Sequence, residues 1–486
     1  MIDELVKIHD NFTIEMKTGF MGKAGVEKNR FNLNTWFFVP GSLDINRSTY
    51  TKESFYRDIK SNIRLITPIF PLKEIAEGLQ SPLISIQNSI KNLFLKGDEA
   101  SLRELEYQFK MFNSILKSAL REDVRAITKL SDDKQIDKGI NEYIDLLKTI
   151  SNRFRGIEME LTVIQRFSKA IDFFLFGDEF MSLLVEIHSF KLLKYIESRE
   201  GQLREKNAPK ILDLIKQELA YKKSKGYLIV EEKSLDHNRS VILRRGILKK
   251  YSESELFVNT IKKEDGFLVR QFVYSLAAGL SMIFATIVAF SFQLKYGNFT
   301  LPFFVAIVVG YMLKDIIKEL SRFYFAHKLS NKYFDLKTVI SIGKDKIGLC
   351  KESFDFISNE RIPATVLKVR NRSSLLEANN KFTEEQIILY RMQVETDNKL
   401  INKHTEYRVE GINNIIRFNI ASLTHKMDNP EVPLFKLDEH DNFIFVGGEK
   451  VYFINMVLQL QHEEQIEFRH YRIVFNRDGI KEVKRM

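Results

Sequence analysis

The most apolar stretch of the chain is residues 271–313, which read QFVYSLAAGLSMIFATIVAFSFQLKYGNFTLPFFVAIVVGYML. Two uncharged runs are joined here by the short polar link KYGN at residues 295–298. The first run, residues 271–294, would span roughly 36 Å as a helix, enough for a bilayer core of about 30 Å. The second run, residues 296–313, would span roughly 27 Å and carries Pro302 in its first turn, where a missing N–H does least harm. We interpret the two runs as a two-helix transmembrane hairpin.

The remainder of the chain has the composition of folded, water-exposed protein. Its 486 residues are 44% hydrophobic and 28% charged, which is material for two or three domains. The mean hydropathy of -0.20 averages one apolar block with two charged halves, so most of the mass is expected to be aqueous. Cys350 is the single cysteine, which excludes an intramolecular disulfide and fits a reducing compartment. The first residues lack the pattern of a cleavable signal peptide.

Basic residues flank the apolar block on both sides, whereas the link between the two runs carries Lys295 alone. By the positive-inside rule, this distribution predicts a multi-pass protein of the cell (inner) membrane with both termini in the cytoplasm. Such residues would also attract anionic lipid headgroups, by about 1 kcal/mol for each residue held close to the surface. The predicted anionic-lipid collar consists of Arg244, Arg245, Lys249, Lys250, Lys262, Lys263 and Arg270 before the block and Lys314, Lys318 and Arg322 after it.

Small residues recur at every fourth position within the two apolar runs. This spacing lets helix backbones approach closely, so we expect the small-residue faces to meet, either within the hairpin or between copies of the chain. The alternative is that alanine is simply common in membrane helices. The two runs carry no charge, which argues against a transport pathway because such pathways need ionisable groups at membrane depth. The predicted membrane-packing residues are Ala277, Ser281, Ala285, Ala289, Ala306 and Gly310.

The first 70 residues are predicted to be a mixed segment. The aromatic run FNLNTWFFV at residues 31–39 is typical of a strand, and Pro40-Gly41 ends it. Ser48 or Thr51 can then cap a short helix that continues to about residue 65. The prediction for this segment is therefore one strand followed by one helix.

Basic and aromatic residues alternate between residues 47 and 64, which makes this segment the best nucleic-acid candidate in the sequence. Aromatic rings can stack on bases while Arg and Lys side chains meet phosphates. The alternative, which we favour, is an amphipathic helix whose Phe55, Ile59 and Ile63 pack inward while the basic side chains stay in solvent. Nucleic-acid binding is thus possible but not favoured. The candidate anion or nucleic-acid patch consists of Arg47, Arg57, Lys60 and Arg64.

Residues 71–265 are predicted to form a cytoplasmic helical bundle, since their apolar residues recur at spacings of three and four. One apolar stripe covers residues 102–119, and a second covers residues 140–174. A stripe that repeats every 3.5 residues for about five heptads predicts one long helix in a coiled-coil-like seam. A break near residues 131–133 would fold the two helices back as an antiparallel pair. A further helix is predicted from Pro209, in its first turn, to Lys222.

Past the apolar block the periodicity continues to residue 330 as an amphipathic juxtamembrane helix. The texture then changes to β, which predicts a cytoplasmic α+β domain with an antiparallel meander. Gly447-Gly448 and residues 477–479 are typical of hairpin turns, and one helix is predicted at residues 413–427. The chain is therefore interpreted as an α+β membrane protein. Its predicted segments are residues 1–70, 71–265, 271–313, 314–330 and 331–486.

The sequence carries no catalytic signature and no stretch that identifies a characterised family. The glycine-rich residues 19–25 fail the P-loop pattern because the glycine spacing is too short and Ala24 replaces the Ser or Thr that would hold magnesium. The histidines and acids of residues 438–470 lack the spacing of a zinc site. Cys350 lacks the surroundings of a catalytic nucleophile and is predicted to be structural. We therefore expect neither a metal nor another cofactor.

These observations favour a membrane-tethered cytoplasmic scaffold, sensor or assembly platform without catalytic activity of its own. The alternative is a membrane-anchored enzyme that acts on a phosphorylated or lipid substrate through residues dispersed over the C-terminal domain and residues 47–64. The expected partners are a bilayer with anionic headgroups and either a second copy of the chain or another protein. The small-residue faces and the apolar stripe motivate the protein partner, although both can be satisfied inside one chain.

Overall fold

The chain is 52% helical and 28% strand, which agrees with the predicted α+β class. The computed structural model describes residues 2–23, 25–162, 168–330, 333–371, 385–440 and 442–486, without the side chains of Arg270 and of residues 325–330. Two compact units share these residues. The sheet unit contains Met1–Arg64, Val258–Glu406 and Glu410–Met486, and the helical unit contains Leu65–Phe257 and Tyr407–Val409.

The helices and strands are numbered in chain order. The strands are β1 (Ile2–Asp10), β2 (Thr13–Met21), β3 (Lys28–Val39), β4 (Ile59–Leu65), β5 (Asn259–Glu264), β6 (Leu336–Ile342), β7 (Asp345–Ile357), β8 (Gln386–Asp397), β9 (Gly411–Asn419), β10 (Glu431–Leu437), β11 (Phe443–Glu449), β12 (Tyr452–His462), β13 (Gln465–Asn476) and β14 (Gly479–Arg485). The helices are α1 (Lys52–Asp58), α2 (Leu72–Glu77), α3 (Pro82–Lys96), α4 (Glu99–Lys129), α5 (Asp133–Thr162), α6 (Ser168–Glu197), α7 (Gln202–Ser224), α8 (Leu235–Ser252), α9 (Phe267–Tyr296), α10 (Leu301–Ser330), α11 (Ala364–Arg370) and α12 (Asn398–Lys403).

An eight-stranded antiparallel sheet forms the centre of the sheet unit, in the order β14-β13-β12-β3-β8-β7-β6-β5. The predicted aromatic strand is confirmed as β3, which pairs with β12 on one side and β8 on the other. Trp36 and Phe38 point to one face of the sheet and pack with Val366 of α11. Phe37 points to the opposite face, where its ring centroid lies 5.4 Å from that of Phe418. The N-terminal segment therefore supplies a central strand of a sheet whose other strands come from the C-terminal half.

A second sheet, in the order β1-β2-β9-β4, corrects two helix predictions. Residues 413–427 were predicted to be helical, but β9 occupies most of that range. The predicted helix after Thr51 is confirmed only as α1, whose Thr51 cap accepts from the Ser54 N–H, because β4 begins at Ile59. In both cases the buried apolar residues satisfy the helical and the strand period together, and pairing with β2 or β9 selects the strand.

The helical unit contains the predicted antiparallel pair. Helix α4 ends at Lys129 and α5 begins at Asp133, and the rings of Phe112 and Phe154 stack at 4.7 Å between them. One continuous helix over residues 140–174 is wrong, because Phe154 of α5 and Phe174 of α6 stack at 5.3 Å. Twenty residues of straight helix would separate these two rings by about 30 Å. The chain therefore reverses between them, and residues 163–167 lie outside the described part.

Two smaller predictions also need correction. Pro209 lies inside α7, which begins at Gln202, so the proline is not in the first turn. Gly447 and Gly448 lie within β11 rather than in a hairpin turn. The turn predicted at residues 477–479 is confirmed, since β13 ends at Asn476 and β14 begins at Gly479. The five predicted segments stay predictions as independent domains.

Candidate functional site

Helix α9 presents the most extensive apolar surface of the sheet unit. Within the described residues it is the one helix long and apolar enough to cross a membrane, with a mean hydropathy of 2.0 over an 18-residue window. Of that window only 17% is buried, and Leu280, Ile283 and Ile287 are each more than half exposed. Soluble proteins rarely leave a contiguous apolar patch of this kind in water. By length and composition, α9 is therefore a candidate membrane span.

The uncharged part of helix α10 is too short for a full span, although the helix itself has 30 residues. It begins at Leu301, because residues 297–300 form a non-helical link in which Gly297 has a φ of +80°. The first charges, Lys314 and Asp315, follow after residues 301–313, which span only about 20 Å as a helix. The prediction for the second run, residues 296–313, was longer because it included residues of the link as helix. The structure therefore supports one candidate membrane helix, and the two-helix transmembrane hairpin with its multi-pass topology is not established.

The predicted small-residue faces lie where α9 and α10 pack against each other. Ala277 and Ser281 are 1% exposed on a helix whose other faces are open, and a Cβ atom built on Gly310 would lie 3.4 Å from Val288 Cγ1. The contact is therefore made within one chain. Ala285 and Ala306 are also buried in it, and Ala289 is half-buried.

Several residues of the predicted anionic-lipid collar are held by acidic partners. Arg244 of α8 binds Glu179 through both Nε and Nη2, at 3.0 and 2.5 Å from Oε2. Lys262 of β5 lies 3.1 Å from Glu352. Pairs of this kind leave little of the two positive charges for a lipid headgroup.

The other residues of the collar are distributed over both units. Lys314 and Arg322 of α10 pair with Asp315 at 3.6 Å and Glu319 at 3.1 Å. The side chain of Arg270 lies outside the described residues. Lys318 is half-buried. Arg245, Lys249 and Lys250 are exposed on α8 of the helical unit, and Lys263 is exposed on β5 of the sheet unit.

The four residues of the predicted anion or nucleic-acid patch do not converge. Arg47 donates from Nη2 to the Phe356 carbonyl at 2.6 Å and lines a cleft of about 780 Å³. Arg57 is exposed on α1, with its Nε 3.5 Å from Asp58. Lys60 and Arg64 lie on β4, outside the residues that line this cleft. A single basic surface formed by all four is therefore not present among the described residues.

The cleft beside Arg47 has an open, mixed lining. Its charged residues are Arg47, Lys52, Asp355 and Arg361, and Lys52 is bound to Asp335 at 2.7 Å. Arg47 itself lies 3.7 Å from Asp355. Arg47 and Arg361 are both exposed in this lining. Such a cleft can hold a small anion, but its described lining brings no histidine to the site.

A buried polar cluster in the sheet unit was not predicted from the sequence. Glu352 is 1% exposed, accepts the Tyr390 hydroxyl and lies 3.1 Å from Lys262. Burial and the nearby Glu352 carboxylate raise the pKa of Tyr390 well above its usual value. Burial likewise raises the pKa of the neighbouring Cys350 thiol, so this cysteine stays protonated and unreactive. Only the alternation of apolar residues along β7 could have indicated that Glu352 faces inward.

A second buried cluster joins α5, α6 and α7 of the helical unit. Asp178, which is fully buried, accepts the Tyr221 and Tyr227 hydroxyls at 2.8 Å and lies 3.3 Å from Arg155 Nε. Arg155 Nη2 donates to Glu218 at 2.5 Å, and its guanidinium stacks 3.4 Å over the Tyr221 ring. Burial opposes the charge of Arg155, but Glu218 and Asp178 outweigh that effect and raise its pKa. The dense mutual pairing is typical of a structural network.

Of the three histidines predicted not to bind metal, His440 lies in an exposed turn, whereas His462 and His470 are buried within strands β12 and β13. His462 stacks on Phe31 at 4.4 Å, and His470 lies 3.1 Å from Asn455 Oδ1. Burial, with Arg370 and Arg472 nearby, lowers the pKa of His470 to about 4. Within the described residues, no group of three or more His, Cys, Asp or Glu could hold a metal ion.

An exposed two-stranded arm, β10–β11, also escaped functional prediction. Phe435 pairs across the strands with Phe445, and Leu437 pairs with Phe443. The three phenylalanine rings lie 4.9–5.3 Å apart. Phe435, Phe443 and Phe445 are 66%, 59% and 64% exposed. The antiparallel meander predicted for this part of the chain did not indicate that these two strands form a separate sheet.

Comparison of the chain with protein-family models, with curated proteins and with solved structures finds no match. The chain's own surfaces are therefore the basis for the function proposed below.

Proposed function

We propose that this protein is a membrane-tethered scaffold, sensor or assembly platform without catalytic activity of its own. The main support for the proposal is the apolar surface of α9, where exposed apolar side chains extend along a helix of 30 residues. At 1.5 Å per residue this helix is about 45 Å long, more than a bilayer core requires. In the hydrocarbon core of a bilayer this apolar surface is not exposed to water, so it carries no free-energy penalty there.

The proposed topology is a hairpin with both termini in the cytoplasm. Four residues, 297–300, separate α9 from α10, and the two helices pack along their small-residue faces. The apolar part of α10 would enter the bilayer beside α9, and its charged second half would emerge at the headgroups. The positive-inside rule supports the cytoplasmic location of the flanking segments.

Alkaline extraction of membranes tests the tether. The variant Leu280→Lys/Ile283→Lys/Ile287→Lys places three charges on the exposed face of α9, where each costs about 3 kcal/mol at the bilayer centre. We expect the unaltered chain to stay in the membrane pellet and the variant to be released. The matched control, Phe435→Lys/Phe443→Lys/Phe445→Lys, changes three exposed apolar residues of the β10–β11 arm and should stay in the pellet. Release of the unaltered chain would refute the tether.

Protease protection in vesicles of both orientations tests the topology separately. Cleavage sites introduced after residues 225 and 405 should be cut from the same side of the membrane. Cleavage from opposite sides would leave the single span of α9 and overturn the hairpin.

The cleft beside Arg47 motivates a second candidate function, a membrane-anchored enzyme that acts on a phosphorylated or lipid substrate. Arg47 and Arg361 face a common space of about 780 Å³, which is large enough for a phosphorylated small molecule. Isothermal titration with inorganic phosphate tests the anion site. Binding that is lost in Arg361→Gln but retained in Arg57→Gln would favour this candidate, and no binding to the unaltered chain would remove it.

The proposed partners are a bilayer with anionic headgroups and a protein, either a second copy of this chain or another one. The exposed aromatic cluster of the β10–β11 arm favours a protein contact, because an isolated two-stranded ribbon is marginally stable in water. Crosslinking in native membranes should return a species heavier than the monomer, and monomer alone would contradict this part of the proposal.

A further inference from the structure

Helix α8 has one buried side and a broad exposed side. Leu248 and Ser252 are 2% and 1% exposed, and the Ser252 carbonyl accepts the Ser114 hydroxyl of α4 at 2.8 Å. On the opposite side Ile242 and Leu243 are 71% and 66% exposed. These two side chains are exposed to solvent, whereas the opposite side of α8 is packed against the rest of the helical unit.

The exposed side of α8 is also strongly basic. Arg245, Lys249 and Lys250 are exposed there, between Ile242, Leu243 and the half-exposed Ile247. At 100° per residue, five of these six side chains lie 100° or more around the helix from Leu248, and Arg245, at 60°, lies at the edge of the exposed side. The exposed acid Asp236 is neutralised by Arg239 at 2.7 Å. Exposed apolar residues interspersed with uncompensated positive charge are typical of helices that lie in an anionic bilayer surface.

Arg244 determines which side of α8 is available. Its guanidinium faces the buried carboxylate of Glu179 on α6 and makes a bidentate ion pair there. The interaction directs Arg244 inward and so rotates Ile242 and Leu243 outward. Arg244, which the sequence placed in the lipid-binding collar, thus acts as a positioning residue rather than as a lipid ligand.

The position of α8 in the chain favours a lipid surface over another acidic partner. Fifteen residue steps lie between Ser252, the last residue of α8, and Phe267, the first of α9. Even fully extended, that connection reaches no more than about 50 Å. If α9 crosses the bilayer, α8 is confined to the layer of solution next to the headgroups, where an anionic surface attracts basic residues.

We propose that the exposed side of α8 docks on the headgroup layer of an anionic bilayer, with Ile242, Leu243 and Ile247 inserted and Arg245, Lys249 and Lys250 at the lipid phosphates and carboxylates. This inference rests on the proposed tether by α9 and names the lipid class that the tethered protein contacts. Docking would hold the helical unit at the membrane surface through α8.

A fluorescent probe on α8 tests the proposal in the full chain. An environment-sensitive dye is attached to Ile242→Cys, or to Met159→Cys on α5 as the matched exposed position, while the buried Cys350 is left unchanged. The chains are placed in nanodiscs of phosphatidylcholine alone or mixed with phosphatidylserine. We expect a blue shift and quenching by headgroup-labelled lipid only at residue 242 and only with phosphatidylserine present.

The basic residues are tested with Arg245→Gln/Lys249→Gln/Lys250→Gln. We expect the ratio of docked to undocked probe to fall roughly fivefold for each charge removed. The control Lys134→Gln/Lys138→Gln/Lys148→Gln removes the same net charge from exposed positions of α5 and should leave that ratio unchanged.

The outcomes separate this inference from the proposed function. A chain that associates with neither kind of nanodisc overturns the tether by α9. A chain that associates with both, but whose probe at residue 242 is insensitive to phosphatidylserine, leaves the tether intact and overturns the docking of α8. An acidic protein as the true partner of this helix would give that same insensitivity and is counted against the proposal.

Discussion

Loss of Arg155 should strongly destabilise the helical unit. Its guanidinium is bound by Asp178 and Glu218, which are both buried. We expect Arg155→Met to lower the free energy of unfolding by about 3–5 kcal/mol, because two carboxylates are left buried without their cation. Denaturant unfolding followed by the helical circular dichroism signal measures this change.

Two further variants test the cause of that loss. Arg155→Met/Asp178→Asn/Glu218→Gln removes both orphaned charges and should recover much of the stability. Arg121→Met removes an exposed arginine from α4 and should change the free energy of unfolding by less than about 1 kcal/mol. A single variant no more harmful than Arg121→Met would show that the cluster contributes little.

His188 should make the helical unit sensitive to acid. Burial, with Lys191 and Lys117 nearby, lowers the pKa of its side chain from 6.5 to about 4. Between those two pH values the unfolded chain binds the proton and the folded chain does not, so acidification lowers the free energy of unfolding. The loss should reach about 3 kcal/mol at pH 4 and level off below that pH, where the folded chain also binds the proton. His188→Leu should flatten this dependence.

Controls separate His188 from other titrating groups. His425→Asn changes an exposed histidine and should keep the pH dependence of the unaltered chain. Asp123 has the opposite effect in part of the same range, because burial and Glu142 raise its pKa to about 6 and the folded chain takes up its proton first. The comparison of His188→Leu with the unaltered chain cancels that contribution. Identical pH profiles would contradict the assignment.

At the scale of elements, the packing of α9 on α10 can be tested with one pair of glycines. Gly310 of α10 lies against Val288, whereas Gly279 of α9 has open space around it. We expect Gly310→Leu to separate the two helices and to lower the free energy of unfolding in nanodiscs by about 1–3 kcal/mol. Gly279→Leu makes the same change on a free face and should be close to neutral. Equal effects of the two substitutions would mean that the small-residue face does not determine the packing.

The helices and strands also show which features of the fold can be predicted from the sequence. Four of the five residues predicted on the apolar face of a helix at 413–427 are in the core, namely Ile416, Ile420, Leu423 and Met427, whereas Ile415 is half-buried. Their spacing fits either a helix or a strand that ends in a tight turn, and only pairing with β2 makes the difference. Phe154 and Phe174 likewise fit one apolar stripe, but they meet because the chain turns back between them. Local periodicity identifies the buried residues and cannot show where a chain reverses.

The same limit applies to the candidate functional surfaces: local sequence predicts some of their features, and contacts between distant residues determine the others. Exposed apolar length made α9 predictable, whereas the inward direction of Arg244 depends on Glu179, which lies 65 residues earlier. The cluster around Asp178 was missed because acidic residues on a helix are usually solvated. Interactions between distant residues therefore determine which basic side chains are available to a ligand.

At the scale of the molecule, the two units should differ in their ability to fold alone. The helical unit is almost continuous in the chain, and its distant residues 407–409 contribute the Tyr407 hydroxyl bond to Gln108 at 2.6 Å. We expect a fragment of residues 65–257 to keep its helical content and to unfold cooperatively. A fragment of residues 258–486 should not form its sheet, because β8 and β12 both lack β3.

Restoring β3 provides the control for this prediction. Co-expression of residues 1–64 as a separate chain should return pairing, which the single Trp36 reports because its side chain is 3% exposed in the sheet. Fluorescence that remains typical of a water-exposed tryptophan would show that the segments cannot assemble after synthesis.

The central position of β3 imposes an order on biosynthesis. Asn34 of this strand donates to Gln459, which is 425 residues further along the chain. At roughly 5–20 residues per second, β3 waits on the order of 20–80 s for its second partner. During that interval the ribosome has already delivered the helical unit and α9, so both leave the ribosome before the sheet can close. An aromatic strand left unpaired for so long is prone to aggregation, and a nascent-chain chaperone that covers residues 31–39 would meet that need.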